Sequence, residues 1–284
     1  MARSGTVEPG LHLVAVPIGS ARDITLRALD ILAGADVLAA EDTRALRHLM
    51  EIHGIPLGAR RILPYHDHNG PAARPRLLSA LREGRSVAYC SEAGTPLIAD
   101  PGFQLGLAAR AEDIAVRAAP GASAVLTALC VAGLPTDRFY FAGFLPPKQA
   151  ARRTALARLA DIPGTLVFYE SPKRLAAFLA DAAATLGARD GAVCRELTKR
   201  FEEVVRAPLP DLAERFAADP ARGEIVVLID RAGAGTVSED DLRGQLQVAL
   251  ETMSVKSAVK SVSEKTGVAR KTVYDLALNL KDGA

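Results

Sequence analysis

Short apolar runs alternate with helix-length amphipathic stretches through the first half of the chain. The runs Leu11–Val16, Val37–Ala40, Ile62–Tyr65, Val87–Cys90 and Ile114–Val116 are continuously apolar or nearly so, the pattern of strands buried on both faces. Their alternation with helices predicts a mostly parallel sheet covered on both sides. Asp23 precedes apolar Ile24, Leu26, Ala28, Leu29 and Leu32, the spacing of a capped helix facing a core. Gly133-Leu134-Pro135-Thr136-Asp137 reads as a hinge. A second α/β unit follows, with strands expected at Phe139–Phe144, Thr165–Tyr169, Ala192–Arg195, Phe201–Arg206 and Glu224–Ile229. Helices are expected near Lys148–Ala160 and Pro172–Ala184, the latter opening on a proline where the first turn tolerates one. Residues 230–238, rich in Gly and Ala, read as a linker. Beyond it lie three short helical patterns, Asp240–Leu250, Val255–Lys265 and Ala269–Leu280, with Thr266-Gly267 like the turn of a helix-turn-helix. The expected organisation is therefore an α/β domain at 11–134, another at 135–231 and a helical appendage at 239–281. For the appendage, a plain helical cap and a nucleic-acid module both stand.

The run Ser91-Glu92-Ala93-Gly94-Thr95-Pro96-Leu97-Ile98-Ala99-Asp100-Pro101-Gly102 is poor material for regular structure. It follows a predicted strand, and ligands of open α/β sheets bind at that end. Pro17-Ile18-Gly19-Ser20 forms a similar turn after the first strand. Neither carries the three glycines of a dinucleotide fold, and no P-loop is present. A pocket of backbone turns, small side chains and acids suits a cationic ligand with an amino-acid head and an adenosine tail, such as S-adenosylmethionine, with other nucleosides also open.

Composition narrows the classes. The 284 residues are 49% apolar and lack Trp, which suits a soluble α/β enzyme. The net charge of +2 gives no argument for nucleic acid. Its distribution is more informative: Arg44–Arg85 holds eight Arg, no Lys and three acids, and Met253–Lys281 six basic residues against two acids. Solvated helix faces explain these clusters as well as RNA contact does. Cys90, Cys130 and Cys194 lie in apolar segments without metal spacing, so buried reduced thiols and a cytoplasmic location are expected. No secretory signal is read at the start. The uncharged run Ala118–Thr136 is interrupted by Pro120, Gly121, Gly133 and Pro135, which leaves a core helix and no membrane span.

Several motifs, in order, resemble the tetrapyrrole methylase superfamily, and within it the branch that methylates ribose in small-subunit ribosomal RNA. They are VPIGSARDITLRALDIL (Val16–Leu32), AAEDTR (Ala39–Arg44), HDHN (His66–Asn69), SEAGTPLIADPG (Ser91–Gly102), PGASAVLTAL (Pro120–Leu129) and GLPTDRF (Gly133–Phe139). GFLPPK (Gly143–Lys148), YESPKR (Tyr169–Arg174), RELTK (Arg195–Lys199) and Arg222-Gly223-Glu224 continue the series. Ser20, Glu92 and Lys173 stand where the family usually has Asn, Asp and His. The resemblance implies two α/β domains with S-adenosylmethionine in the cleft between them, plus the small helical appendage. It also implies methyl transfer to a cytidine 2′-hydroxyl of 16S rRNA, and a homodimer. Ile18, Gly19, Ser91, Glu92, Gly94, Thr95, Ser123 and Ala124 would line the cofactor pocket from one domain, and Tyr169, Leu197 and Glu224 from the other. Ser123 as a helix cap, Tyr169 as core and Glu224 as a surface acid are the plainer alternatives.

Transfer from a sulfonium needs an aligned acceptor and, for a weakly nucleophilic hydroxyl, a base. Asp42, Asp100, His66 and Glu170 are the candidates, with Asp42 first because it follows a strand toward the crevice; its alternative role is a helix cap. His66 and His68 lack a third ligand, and no metal is expected. With few aromatics to stack bases, RNA contact is assigned to Arg44, Arg47, Lys148, Arg152, Arg153, Lys173, Arg174 and Lys199. Two rivals remain. One is a corrin-pathway methylase of the same fold, disfavoured by Glu92-Ala93-Gly94-Thr95-Pro96. The other is a non-catalytic RNA-binding factor.

Overall fold

The computed structural model describes residues 6–66, 68–232, 239–266, 268 and 270–282. Asp67 of the HDHN motif, residues 233–238 of the expected linker, Gly267 of the expected helix turn and Ala269 lie outside them. Strands β1 (Gly10–Val14), β2 (Val37–Ala40), β3 (Ile62–Pro64), β4 (Ser86–Cys90) and β5 (Val116–Ala119) form one sheet in the order β3-β2-β4-β1-β5. Every pairing in it is parallel. Helices α1 (Leu26–Gly34), α2 (Thr43–Ile52), α3 (Gly70–Arg82) and α4 (Phe103–Ala111) make the connections. Separate apolar clusters on the two faces, one around Leu32 and Leu38 and the other around Leu77 and Tyr89, account for the continuous apolar strands.

Two local expectations shift. The cap of α1 is Thr25, whose hydroxyl accepts from the Ala28 amide, and not Asp23. The last strand begins two residues later than expected, because the Ile114 amide bonds back to Ala109 and Asp113 sits at positive φ to end α4.

The second sheet is mixed. Its strands β6 (Phe139–Phe144), β7 (Thr165–Glu170), β8 (Asp190–Arg195), β9 (Glu203–Pro208) and β10 (Ile225–Ile229) run in the order β6-β7-β10-β8-β9, with only β6 and β7 parallel. Phe201 falls in the turn before β9, where Glu196 and Thr198 adopt positive φ, and not in the strand. Helices α6 (Gln149–Leu159), α7 (Pro172–Leu186) and α8 (Leu209–Ala218) cover one face. The last of these was not legible in the sequence, being short and opened by two prolines.

The opposite face is covered by a helix from the first half. Helix α5 (Ala124–Ala132) buries Val125, Ala128, Leu129 and Ala132 against Val167, Ala192, Cys194, Val226 and Leu228 of the second sheet. Burial of each larger aliphatic among them contributes roughly 1.5–3 kcal/mol. The expected core helix is thus what docks the halves together. Cys130 corrects the expectation of buried thiols: it is exposed on this helix, whereas Cys90 and Cys194 are buried. Helices α9 (Glu239–Thr252), α10 (Val255–Thr266) and α11 (Arg270–Asp282) close around their own core of Leu246, Ala258, Val262 and Val273. Among the described residues, no helix is long and apolar enough to cross a membrane.

Candidate active site

A cavity of about 440 Å³ opens between the two sheets. It lies beyond the carboxyl ends of β1 and β4, where a parallel sheet leaves its ligand crevice. From the first half come Ile18, Glu41, Glu92–Thr95, Asp100, Ser123 and Ala124; from the second come Phe144, Tyr169, Glu170, Leu197 and Glu224.

Backbone chemistry shapes the near wall. Val16 and Gly94 exchange amide–carbonyl hydrogen bonds at 2.9 and 3.0 Å, clamping the first turn to the loop after β4. Gly94 has φ +71°, and a Cβ there would lie 3.2 Å from Ile18 Cγ2, so this wall requires glycine. The Thr95 hydroxyl donates to the Ala122 carbonyl at 2.9 Å, tying the loop to the start of α5. Ser123 stands at the N-cap position of that helix without a side-chain cap bond, and it lines the cavity. On the far wall the Tyr169 ring packs edge-on to Phe141 and Phe144, with centroids 4.9 and 5.6 Å away.

Among the described residues the lining holds five acids, Glu41, Glu92, Asp100, Glu170 and Glu224, and neither Lys nor Arg. Burial, reinforced by the nearby Glu41 charge, pushes the Asp100 carboxyl up to about 6, against a smaller opposing effect of Ser91. Burial likewise raises the Tyr169 hydroxyl to about 12, so it stays a neutral donor. Glu170 is also raised by burial. Its Oε1 accepts from the Ser171 amide at 2.7 Å and faces Arg174, while Oε2 has no partner among the described residues. A cavity of this kind accepts a cationic small molecule and keeps one carboxylate near neutrality, as a general base requires.

Most of the expected cofactor residues meet here: Ile18, Glu92, Gly94, Thr95, Ser123, Ala124, Tyr169, Leu197 and Glu224. Gly19 and Ser91 instead line a neighbouring groove. Gly19 packs against the second half so closely that a Cβ would lie 2.5 Å from Lys199 Cγ and 2.6 Å from Thr198 Oγ1. Ser91 is buried, and its hydroxyl donates to the Ala93 carbonyl.

Among the base candidates, Asp100 and Glu170 reach the cavity, whereas Asp42 and His66 do not line it. Asp42 is the N-cap of α2: its Oδ1 accepts from the Arg44 and Ala45 amides at 2.7 and 3.2 Å, and the Arg44 guanidinium on its Oδ2, followed by these amide bonds, holds its pKa down. That corrects its placement as first-choice base. The neighbouring acid that does face the cavity is Glu41, whose Oε2 accepts from the Glu92 amide at 3.1 Å. The preference of Asp for N-caps was the available signal.

Of the basic residues, Arg44, Arg47, Lys148, Arg153 and Lys173 are exposed. Arg152 corrects its assignment to RNA: it is buried and paired with the fully buried Asp181 at 2.6 Å, where Arg153 and Gln149 also bond. Arg174 is held by Glu170 and the Leu145 carbonyl, and Lys199 bridges Glu196 and Glu224 at 3.1 Å each.

Comparison with known proteins follows the same lines. A family model described as Tetrapyrrole (Corrin/Porphyrin) Methylases matches residues 10–213, and one described as RsmI C-terminal HTH domain matches residues 236–281. Solved structures with the same fold include a diphthine synthase (TM-score 0.62, 15% identity, 78% of this chain and 90% of that one) and cobalt precorrin-4 methyltransferase (TM-score 0.58, 19% identity, 78% and 94%). The class is therefore an α/β methylase of the tetrapyrrole type. Ribosomal RNA small subunit methyltransferase I of Mesorhizobium japonicum is 46% identical over 97% of this chain and 94% of its own. That of Mycobacterium tuberculosis is 44% identical over 94% of each chain. The chain belongs to the ribosomal RNA small subunit methyltransferase I family.

Proposed function

We propose that the protein transfers a methyl group from S-adenosylmethionine to the 2′-hydroxyl of a cytidine in 16S rRNA, acting on the small ribosomal subunit. The observation that carries this reading is full-length similarity to small-subunit rRNA methyltransferases joined to an acid-lined cavity between two sheets. A uroporphyrin-III C-methyltransferase of the same fold, 21% identical, has been solved with the demethylated cofactor bound. Here the positive-φ Gly94, the acidic lining and the apolar Ile18 and Leu197 fit a sulfonium carrying an amino-acid head and an adenosine tail.

The bound cofactor supplies an already activated methyl group, so the chain's task is alignment and deprotonation. Gly94, Thr95, Ser123 and Ala124 hold the ligand from the first half, and Tyr169, Leu197 and Glu224 from the second. Asp100 takes the proton of the acceptor hydroxyl, because it lines the cavity and titrates near neutrality. Exposed Arg44, Arg47, Lys148 and Lys173 hold RNA phosphates.

The test is a radiolabelled methyl-transfer assay that offers assembled small subunits, free 16S rRNA and a tetrapyrrole precursor side by side. Label confined to one ribose 2′-oxygen is expected. Label on a base or on the tetrapyrrole would overturn the acceptor assignment. Cofactor binding without any label would remove these acceptors, and no cofactor binding would favour the non-catalytic RNA-binding reading.

A further inference from the structure

Beside the main cavity lies a groove of about 200 Å³ that the proposed reaction leaves unused. Its walls are Val16, Pro17, Gly19 and Ala21 of the first turn, and Ala45, Leu46, His48, Leu49 and Ile52 along one face of α2. The walls are held in place: the His53 ring bonds the Ala21 carbonyl at 2.8 Å, and the Ser20 amide donates to Thr198 Oγ1 at 3.1 Å. The groove is therefore built by loop, helix and the second half of the chain together.

Three features point to its occupant. The lining is mostly apolar, and Ile52 is 53% exposed. The rim is basic: Arg44, Arg47 and His48 stand exposed on α2, with Arg22 exposed beyond Ala21. Against them stand Asp42, paired with Arg44, Glu51, 4.0 Å from His48, and the exposed Glu92 in the lining itself, so the cations outnumber the acids only along α2 and at Arg22. Finally, Glu92 lines both the groove and the main cavity, so the two are contiguous. An apolar slot with cations at its edge, one step from the reacting centre, matches a nucleobase with its phosphates. Single-stranded RNA is read with its bases splayed out in this way.

We propose that this groove takes the base of the nucleotide next to the target, with Arg44 and Arg47 on the adjoining phosphates. The inference rests on the RNA-methylating reading above. It adds a subsite that fixes which ribose along the strand enters the main cavity.

The experiment uses the full chain and small subunits reconstituted with 16S rRNA that carries an abasic ribose on the 5′ or the 3′ side of the methylated residue. An abasic position on one side is expected to lower kcat/KM of the parent protein about tenfold or more. Ala45→Trp, which fills the groove from an exposed helix position, is expected to cause a similar loss on intact RNA and no further loss on the abasic RNA. Cofactor affinity should stay within about twofold of the parent's, since Ala45 does not line the main cavity. Ile52→Glu, at an exposed site that tolerates charge, should repeat the loss by opposing the neighbouring phosphate. Independent, multiplying losses for variant and abasic RNA would overturn the assignment, as would an indifferent parent. A change of sedimentation mass in Ala45→Trp would overturn it in favour of a contact between copies. Absence of transfer by the parent to intact subunits would overturn the proposed function itself, before any variant is compared.

Discussion

Replacing Glu41 with Gln should move the acid limb of the methyl-transfer rate. Asp100 is pushed up to about 6 from an ordinary 3.8, first by burial and then by the Glu41 charge. A base with that pKa is roughly one-tenth ionised at pH 5, so parent kcat/KM there should be about one-tenth of its plateau. An unperturbed Asp would still be more than about nine-tenths ionised at that pH. Gln at position 41 keeps an oxygen to accept the Glu92 amide bond and removes the like charge. Because burial is the larger cause, the limb should fall only part of the way toward 3.8. Relative activity at pH 5 should then rise a few-fold. The assay is initial rate against pH at saturating cofactor, with small subunits below KM. A parent profile flat down to pH 5, or a limb that Glu41→Gln leaves in place, would refute the assignment of Asp100 as base and Glu41 as its modulator.

Asp100→Asn should abolish transfer while raising thermal stability. The folded pKa lies above the unfolded one, so the carboxyl's contribution is fully present below about 3.8 and is lost as pH rises through about 6. The gain in Tm should therefore be larger at pH 8 than at pH 4 by differential scanning calorimetry; equal gains would contradict the burial of this group. Arg152→Ala leaves the fully buried Asp181 short of a partner, and chemical denaturation should show a loss of about 3–5 kcal/mol. A loss below about 1 kcal/mol would place this pair among ordinary surface ion pairs. Gly94→Val should abolish cofactor binding, through positive φ and the 3.2 Å approach of its Cβ to Ile18; calorimetric titration with normal affinity would remove Gly94 from the pocket wall. Asp42→Ala should cost about 1 kcal/mol as a lost N-cap, with kcat retained; a large fall in kcat would restore Asp42 to the chemistry.

Much of this protein was legible because neighbouring residues settle local questions by themselves. Continuously apolar stretches such as Val37–Ala40 and Val87–Cys90 can be satisfied only between two covered faces, so the parallel sheet followed from them. Glycine and proline after β1 and β4 announced turns at the ligand end of that sheet, and nine of the expected cofactor residues gather there. Tertiary structure decided the rest, because the deciding partners are distant in sequence. Whether α5 spends its apolar surface on its own sheet or on the other depends on strands about 40 to 100 residues further on. Arg152 reads as a surface charge until Asp181 is brought beneath it. Glu41 and Asp42 are adjacent and chemically alike, yet Asp42 caps a helix and Glu41 faces the cavity, because α2 starts directly after Asp42 while Glu41 accepts from the Glu92 amide of the loop after β4. The raised pKa of Asp100 needs both its burial and the Glu41 charge from another strand's end. Local pattern determines which elements form and where their turns fall; the fold alone determines which side chains share a cavity, and hence which acid can act as a base.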